Sequence, residues 1–395
     1  MKKIIFSALS LMVMFGMAFF LAQANNFTAR ANDDSGRKIV VFRVALNDVA
    51  KDEIVKGAGG VKLKNLDLIG AKAVWLPDRA AAEKLAIHPS VLRVDDDVVV
   101  EAIGKPAPSP QPAEILPWGI TRIGADKVWI GNTADKIKVG IIDTGISNAH
   151  PDLLDNVAGG VNTINSTKSW NDDNGHGSHV AGIVAALDNT IGVVGVGPDI
   201  DLYAIKVLNR NGSGFLSDVI EGIQWAVANN MQVINMSLGT GSDIQSFHDA
   251  VIAAKNDGLV VVAAAGNSGG SVGFPAAYEE VIAVSATDSS DTIAYFSSRG
   301  PEVDLAAPGF SIYSTYKGTG YATLSGTSMA APHVSGVAAL VLNTPVGVYD
   351  ANNSGTWNPD EVQKKLQNRA YDLNGVGFDE LYGWGLVDAY NAVQP

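Results

Sequence analysis

The stretch Lys138-Val-Gly-Ile-Ile-Asp143-Thr-Gly145 decides the fold of most of the chain, because a short apolar run ends there in an acidic residue and a glycine. Further apolar runs typical of buried strands lie at residues 202–207, 233–236, 260–264 and 281–285. Alanine-rich helical patterns separate them, at residues 176–188, 216–230, 244–256, 328–343 and 359–369. Strands that alternate with helices indicate parallel β-α-β units with both sheet faces covered. We predict an α/β fold over residues 114–395, with a doubly wound, mostly parallel sheet flanked by helices.

The composition limits the class of protein. The 395 residues are 47% hydrophobic and 17% charged, and the formal net charge is −13. Such a chain is neither a disordered polyelectrolyte nor a basic nucleic-acid binder, so we expect a soluble protein with a large core and no nucleic-acid partner. Cysteine is absent, which excludes disulfides, zinc–thiolate sites and cysteine nucleophiles.

The N-terminus has the pattern of a targeting signal. Lys2 and Lys3 precede an apolar run from Ile4 to Ala22, and Ala22-Gln-Ala24 is an A-x-A cleavage pattern. The run is long enough to span a bilayer, so an uncleaved anchor is the alternative interpretation. We predict a signal peptide over residues 1–24 and a secreted, extracellular protein that has no membrane attachment after cleavage.

Residues 25–104 are predicted to form a separate small domain. Strand and helix patterns alternate in the order β-α-β-β-α-β, which suggests a ferredoxin-like α+β sandwich. The predicted elements are Lys38–Val44, Asn47–Lys56, Val61–Leu76 with a break at Gly70, Asp78–Ile87 and Val91–Ile103. A proline-rich linker follows at 105–113, where an extended, exposed chain favours proteolysis.

Three polar motifs interrupt the apolar background of the second domain, around Asp143, His176 and Ser328. Each alone has a structural interpretation, as a turn acid, a helix-start histidine or an N-cap serine. Together they suit nucleophilic catalysis. A serine hydroxyl needs an adjacent base, and a histidine base needs an acid that fixes its tautomer and stabilises the imidazolium.

The sequences around these residues resemble the motifs of subtilisin-like serine peptidases, the subtilase family. The motifs are Asp143-Thr-Gly, His176-Gly-Ser-His-Val-Ala-Gly and Gly326-Thr-Ser-Met-Ala-Ala-Pro-His, in the order acid, histidine, serine. The resemblance covers residues 114–395, and residues 38–103 resemble the family's inhibitory propeptide. It implies that Ser328 attacks the peptide carbonyl, His176 transfers the proton and Asp143 orients His176. Ser178 stands where the family usually has threonine.

The resemblance also implies an oxyanion donor. Ala263-Ala-Ala-Gly-Asn267 matches the motif whose asparagine amide donates to the oxygen that becomes charged as the tetrahedral species forms. The backbone N–H of Ser328, at a helix N-terminus, is the expected second donor. Without the triad, Asn267 would read equally well as a turn residue.

Two edge segments are implied to pair with an extended peptide substrate, which would give broad specificity through main-chain hydrogen bonds. They consist of Gly212, Ser213, Gly214, Ser237, Leu238 and Gly239. A primary specificity pocket is implied beside them, lined by Ala264, Ala265, Gly266 and Gly273. These small uncharged residues predict cleavage after large uncharged side chains.

Calcium is the expected cofactor, because a secreted chain without disulfides often relies on another cross-link and hard cations prefer oxygen ligands. The resemblance implies one strong site, formed by Glu114, Asp152, Leu187, Asn189, Ile191 and Val193. Glu114 stands where the family usually has glutamine. A second, weaker site is suggested at Ala276, Tyr278, Val281, Glu302 and Asp304. Plain surface loops are the alternative interpretation. His179 is expected to be a packed helix residue, since the chain lacks an H-E-x-x-H motif.

The combined prediction is a secreted, monomeric, calcium-stabilised serine endopeptidase of broad specificity. It would hydrolyse proteins or peptides through an acyl-enzyme and remove its own propeptide by cutting between Glu101 and Leu116. One alternative is a catalytically silent binding protein of the same fold. Another is an esterase, which is disfavoured because Gly326-Thr-Ser-Met-Ala is not G-x-S-x-G. An insert near residues 344–356 has no assigned role.

Overall fold

A computed structural model describes residues 36–43, 46–102, 108–109 and 112–395, and these divide into two compact units. The first unit comprises the described residues up to Asn65 together with Lys72–Val98, and the second comprises Leu66–Ala71 and Val99–Pro395. The predicted signal peptide and most of the predicted linker lie outside the described residues. No helix in the described part of the chain is long and apolar enough to cross a membrane.

The first unit has the predicted β-α-β-β-α-β order. Its elements are β1 (Arg37–Phe42), α1 (Asp48–Gly57), β2 (Val61–Leu66), β3 (Ala71–Trp75), α2 (Arg79–Ala86) and β4 (Val91–Asp96), with the sheet order β2-β3-β1-β4. Asn47 and Asp78 cap the two helices, since their side chains accept from Ala50 N and Ala81 N. Gly70, at the predicted break, has a φ of 64°.

The last strand of this unit is shorter than predicted. The sequence suggests one strand over Val91–Ile103, but β4 ends at Asp96 and a separate strand β5 (Val99–Ala102) belongs to the second unit. The reason is the length of the partner strand. Asp96 pairs with Lys38, next to the first residue of β1, so the antiparallel ladder has no further partner.

A seven-stranded sheet forms the centre of the second unit, in the order β15-β14-β13-β11-β7-β9-β8, with parallel pairing throughout. Its strands are β7 (Lys138–Asp143), β8 (Val157–Asn162), β9 (Asp201–Lys206), β11 (Val233–Met236), β13 (Val260–Ala264), β14 (Ile282–Thr287) and β15 (Leu305–Pro308). The sequence predicts five of them. It misses β8, which is glycine-rich and lacks the apolar run of a buried strand, and β15, whose apolar run is only four residues long and ends in a proline.

Helices cover both faces of this sheet, as predicted. They are α3 (Trp118–Arg122), α4 (His176–Ala185), α5 (Leu216–Ala228), α6 (Gln245–Asn256), α7 (Thr327–Leu342), α8 (Pro359–Arg369) and α9 (Ala389–Ala392). Ile141 of β7 packs in the core cluster that contains α4 and α7, whereas the next residue, Ile142, faces Gly222 of α5. Successive side chains of a strand point to opposite faces, so the two neighbours contact different helix layers.

The central helices α4 and α7 lie deep in the fold because small residues let side chains of neighbouring segments pack against the helix backbone. All ten residues of α4 are buried, as are those of α7 from Thr327 to Val341. A Cβ on Gly182 would lie 2.2 Å from Thr315 Oγ1, and one on Gly336 would lie 2.5 Å from Val196 Cβ. Alanine-rich and glycine-rich helices of this kind hold their first residues firmly at the edge of the sheet.

Two small sheets complete the unit. One has the order β16-β17-β6 and consists of β16 (Ile312–Thr315), β17 (Tyr321–Leu324) and β6 (Pro108–Ser109). The other has the order β10-β5-β12 and places β5 between β10 (Ser213–Phe215) and β12 (Leu238–Gly239).

Candidate active site

Asp143 is the last residue of β7 and lies at the carboxyl edge of the parallel sheet, where such sheets place their ligands. Its side chain is fully buried. The chain turns back over it: Val207 N and Leu208 N both donate to the Asp143 carbonyl, and Thr144 N donates to Asp143 Oδ1 at 2.7 Å. The carboxylate therefore has a fixed direction.

His176 is the first residue of α4 and contacts this carboxylate. Its Nδ1 lies 2.8 Å from Asp143 Oδ1 and 2.9 Å from Oδ2, and because a carboxylate can only accept, Nδ1 is the donor. Gly177 permits the approach, since a Cβ there would lie 2.2 Å from the Gly145 carbonyl oxygen and 3.1 Å from Asp143 Cβ. The structure thus brings the predicted acid and base together.

Asp172 fixes the loop that carries His176, and the sequence analysis did not identify it. Its Oδ1 accepts from Thr144 Oγ1, Asn174 N and Gly175 N, and its Oδ2 accepts from the backbone N and Oγ of Ser178, all within 2.6–3.0 Å. Burial raises the pKa of this carboxyl group above its ordinary value. Ser178, which stands where the family usually has threonine, supplies one of these contacts through its hydroxyl group.

Lys206 is a second residue that the sequence analysis missed. Its ammonium group donates to Thr144 O at 2.6 Å, Leu208 O at 3.0 Å and Asp173 Oδ1 at 2.6 Å, and the residue is 5% exposed. In the parallel ladder of β7 and β9, Lys206 is the register partner of Asp143. A signal was available, because this lysine is the only charged residue in the apolar run 202–207, and a charge in a buried strand needs a dedicated partner.

Ser328 lies at the second position of α7 and is attached to the same edge of the sheet. Its Oγ donates to Ser237 O at 3.2 Å, and Ser237 Oγ donates to Ser328 O at 2.8 Å. Asn235 links this pair to the helix, since its Nδ2 donates to Ser237 Oγ and its Oδ1 accepts from Ser335 Oγ. Because β11 is the neighbour of β7, Ser328 is held at the edge that carries Asp143.

Asn267 follows β13 and has a fixed amide orientation. Its Oδ1 accepts from both the backbone N and Oγ1 of Thr327, each at 2.9 Å. Thr327 Oγ1 in turn accepts from Gly266 N at 3.0 Å. These contacts join the segment after β13 to the start of α7 and direct Nδ2 of the half-buried residue Asn267 away from Thr327.

The two predicted edge segments flank an extended stretch of the chain itself. Strand β5 is antiparallel to both: Ser213 pairs with Glu101 and Gly214 with Val100 on one side, and Leu238 pairs with Ala102 on the other. Gly212, before the first segment, has a φ of 76°. Val100 is completely buried between the segments. The arrangement therefore binds an extended peptide strand through its main chain.

The predicted pocket residues begin with Ala264, the last residue of β13, and the others follow that strand. Gly273 N donates to Ala265 O at 3.0 Å, and Gly266 has a φ of 114°, which favours glycine. Ala264 and Ala265 are buried. The polar side chains of Ser268 and Ser298 nearby are uncharged, and their Oγ atoms lie 3.1 Å apart.

The residues of the first predicted cation site also come together. Asp152 is fully buried, and its oxygens accept from Val193 N, Asn189 Nδ2 and Tyr321 OH. Glu114 Oε1 accepts from Asn189 N at 2.6 Å. Burial raises the pKa of Asp152 to about 6. Two carboxylates thus face one amide-rich loop, which includes Leu187 and Ile191 and is a suitable donor set for a hard cation.

The second predicted cation site fits less well. Asp304 Oδ2 accepts from Ala283 N, and its Oδ1 accepts from Gln363 Nε2 and Gln367 Nε2, so the carboxylate is largely used within the fold. Tyr278 directs its hydroxyl to Asp243 and Ile244. Among the described residues, no group of three or more His, Cys, Asp or Glu side chains is arranged for a metal.

The other two histidines near the site are structural. His179 Nε2 lies 3.1 Å from the carbonyl oxygens of both Ile312 and Ala322, and burial lowers its pKa to about 3. His333 Nδ1 lies 2.8 Å from Met329 O, and burial lowers its pKa to about 4. Both rings are therefore neutral near pH 7, as expected for packed helix residues.

Comparison with known proteins identifies the family. A model of the subtilase family of peptidases matches residues 134–385. Subtilisin amylosacchariticus of Bacillus subtilis subsp. amylosacchariticus is 40% identical, with 100% of this chain and 99% of that protein covered. Subtilisin DY of Bacillus licheniformis is 48% identical over 71% of this chain and 100% of its own length. A thermostable alkaline protease of Halalkalibacterium halodurans is 46% identical over 71% of this chain and 74% of its own.

The matches span the sheet, both central helices and all three polar motifs, and they agree with the resemblance that the motifs indicate. The chain belongs to the subtilase family and is a serine endopeptidase.

Proposed function

We propose that the chain is a secreted, calcium-stabilised endopeptidase of broad specificity that uses Asp143, His176 and Ser328 as its catalytic triad. The observation that carries this proposal is the pair of contacts from His176 Nδ1 to the buried Asp143 carboxylate, with Ser328 attached to the same sheet edge. The N-terminal Lys2-Lys3, apolar run and A-x-A pattern support secretion.

In this mechanism His176 accepts the Ser328 proton as the serine oxygen attacks the substrate carbonyl. Asp143 holds the ring so that Nδ1 carries a proton and Nε2 is the basic nitrogen, and the same carboxylate stabilises the imidazolium that forms. His176 then donates the proton to the leaving amine, which yields an acyl-enzyme. Water releases the acyl group by the reverse sequence. Asp172 and Lys206 are positioning residues, because they act through Thr144 and the loop before His176.

Asn267 and the backbone N–H of Ser328 are proposed to bind the developing oxyanion. The contacts of Asn267 Oδ1 with Thr327 support this role, since they orient the amide so that Nδ2 is the donating end. Donors that are fixed before charge develops need no reorganisation during the reaction.

The substrate is proposed to lie between β10 and β12, in the position that β5 occupies. Strand β5 (Val99–Ala102) supports this assignment, because this extended segment forms antiparallel backbone pairs with both β10 and β12. Alanine and glycine at 264, 265, 266 and 273 would leave an apolar pocket for large uncharged side chains.

The same segment supports self-processing. Ala102 pairs with Leu238 of β12. The residue before Leu238 is Ser237, whose carbonyl oxygen accepts a hydrogen bond from the Ser328 hydroxyl. Strand β5 therefore runs antiparallel to β12 and ends beside the residue that follows Ser237, the hydrogen-bond acceptor of the proposed nucleophile. We assign the preceding residues, 25–104, as an inhibitory propeptide and propose cleavage shortly after β5, within the interval Glu101–Leu116.

Calcium is proposed to bind at the loop of residues 187–193. Asp152 and Glu114 would supply carboxylate oxygens, and Asn189 with the carbonyls of Leu187, Ile191 and Val193 would supply neutral ones. When bound, the ion would cross-link this loop to the segment before α3 and stabilise the fold.

Replacing Asn267 by alanine should lower kcat while KM changes little, because the proposed hydrogen bond strengthens only as charge develops. A hydrogen bond to a charged group is worth about 1.5–3 kcal/mol, which corresponds to a loss of about 10- to 100-fold. Steady-state kinetics on a peptide substrate measure both constants. An unchanged kcat would remove Asn267 from the mechanism.

The variant Ser328→Ala should accumulate as the uncleaved precursor, because it lacks the nucleophile for self-processing. The parent chain should yield a shorter protein whose N-terminus, read by sequencing, lies shortly after Ala102. Ser325→Ala is the matched control, since it removes a hydroxyl three residues away that accepts from Ser311 N, and it should process normally. Efficient release of the first unit in Ser328→Ala would contradict self-processing.

Removal of calcium should lower the melting temperature. A ligand that binds only the folded state at 100 times its Kd stabilises it by about 2.7 kcal/mol. Calorimetry with calcium and with excess chelator measures the difference, which Asp152→Asn should reduce. Glu114→Gln should retain most of it, because an amide oxygen can still accept from Asn189 N. Equal calcium-dependent shifts in Asp152→Asn and the parent would refute the site.

A further inference from the structure

The segment from Asp350 to Glu361 connects α7 to α8 and lies outside the sites described so far. Its sequence is Asp350-Ala-Asn-Asn-Ser-Gly-Thr-Trp-Asn-Pro-Asp-Glu361. Counted from Asp350, oxygen-bearing side chains stand at positions 1, 3, 4, 5, 7, 9, 11 and 12, which include all the side-chain ligand positions of a twelve-residue calcium loop, and a glycine stands at position 6. These twelve residues are called the insert loop below.

This spacing is that of an EF-hand calcium loop. Such a loop has twelve residues and supplies oxygens from positions 1, 3 and 5, from the carbonyl of position 7, from position 9 through water, and from a bidentate glutamate at position 12. Glycine at position 6 allows the sharp turn. Position 5 departs from the pattern, since Ser354 stands where such loops have Asp or Asn, and its hydroxyl is a neutral oxygen donor. A twelve-residue pattern can occur by chance, so the conformation of the chain has to support it.

The backbone of the insert loop wraps around its first residue. Asp350 Oδ1 accepts from Ser354 N at 2.9 Å and Asp350 Oδ2 accepts from Gly355 N at 3.0 Å. Asn353 and Gly355 have φ values of 56° and 75°. Each Asp350 oxygen still has acceptor capacity, because a carboxylate has about four lone-pair sites.

Further oxygens converge in the second half of the loop. The hydroxyl of Ser354, at position 5, donates to Thr356 O, the position 7 carbonyl, at 2.8 Å. Two oxygens that ligate one calcium ion at ~2.4 Å lie about 3 Å apart, so this separation is compatible with a shared ion. Asn358, at position 9, caps α8 by accepting from Glu361 N at 3.0 Å.

Glu361 provides an independent indication of a cation. Glu361 is 3% exposed. Its two carboxylate oxygens accept hydrogen bonds only from backbone groups, Ala351 N at 2.9 Å and Asn358 N at 3.1 Å. Within the described ranges, no Lys, Arg or His forms an ion pair with it. Lys365, one turn later on α8, donates instead to Gln394 O and lies 4.5 Å from the Tyr349 ring.

A buried carboxylate without a counter-ion is costly, and buried charges in proteins are normally paired or bound to a metal. The exposed acid beside it has a different arrangement: Asp360 pairs with Lys255 Nζ at 2.7 Å. Glu361 forms a capping box with Asn358, so two backbone N–H groups and the N-terminus of α8 offset part of its charge, but no cationic side chain among the described residues does. It stands at position 12, which a calcium loop requires to ligate the ion.

We propose that the insert loop binds one calcium ion. Its ligands are the carboxylates of Asp350 and Glu361, the side-chain oxygens of Asn352 and Ser354, the Thr356 carbonyl, and Asn358 through water. Mixed carboxylate, amide, hydroxyl and carbonyl oxygens favour calcium over the smaller magnesium ion, which demands near-ideal octahedral geometry. Trp357 Nε1 donates to Thr344 O at 2.7 Å and closes the base of the loop, so the ion would order the connection that follows α7.

Terbium luminescence tests the proposal, because Trp357 lies inside the loop at position 8 and can sensitise a bound lanthanide. The full-length chain with Ser328→Ala and Asp152→Asn, stripped by chelator, avoids self-digestion and the first cation site. We expect sensitised emission that saturates at one terbium per chain and is displaced by calcium but not by equimolar magnesium. Trp357→Phe should lose the emission, while calorimetry with calcium still finds the ion.

Two ligand variants and one matched control make the test specific. Glu361→Gln retains the capping geometry but removes the charge, and Asn352→Ala removes an exposed ligand without disturbing the core. We expect the calcium affinity to fall at least about 100-fold in the first and about 10-fold in the second. Asp360→Asn, at the non-ligand position 11, should bind like the parent. Unchanged affinity in Glu361→Gln with intact circular dichroism, or equal losses in Asp360→Asn and Asn352→Ala, would overturn the proposal.

Discussion

The contact between the buried carboxylate of Asp143 and the ring of His176 is the interaction on which the rest of the proposed active centre depends. Removing a carboxylate from water costs several kcal/mol unless hydrogen bonds compensate it. Here Thr144 N and His176 Nδ1 supply these bonds, and Asp172 fixes the adjacent loop. The buried Asp143 carboxylate therefore fixes the orientation of the His176 ring, the proposed base, because its hydrogen bonds would be lost in another arrangement.

The fold supplies this anchor through close packing at one edge of a parallel sheet. β7 ends at Asp143, the neighbouring β11 leads to Ser237, and β13 leads to Asn267. Two deeply buried helices begin opposite these strand ends, with His176 and Ser328 in their first turns. Each predicted catalytic group is thus held by backbone that is itself buried, which limits its movement and prepares the site before a substrate arrives.

The sequence was sufficient to predict the α/β architecture, since buried parallel strands and alanine-rich helices have clear periodicities, and to select the candidate triad from its motifs. It did not predict Asp172, whose link to Thr144 joins segments that are distant in the sequence, or Lys206, although a lysine within an apolar strand was a usable signal. The end of β4 depends on where its partner strand begins, which local propensity does not encode. The donor spacing of the insert loop was present in the sequence, but only the burial of Glu361 without a cationic partner distinguishes it from an ordinary polar loop.

Covalent labelling with a fluorophosphonate probe, followed by peptide mapping, tests the central claim most directly. The probe reacts with a serine whose hydroxyl is activated by a neighbouring base. The account predicts one labelled residue, Ser328, and a labelling rate that falls by about 10²–10⁴-fold in His176→Ala, the usual contribution of general-base catalysis. Labelling at another residue, or an undiminished rate in His176→Ala, would contradict the account.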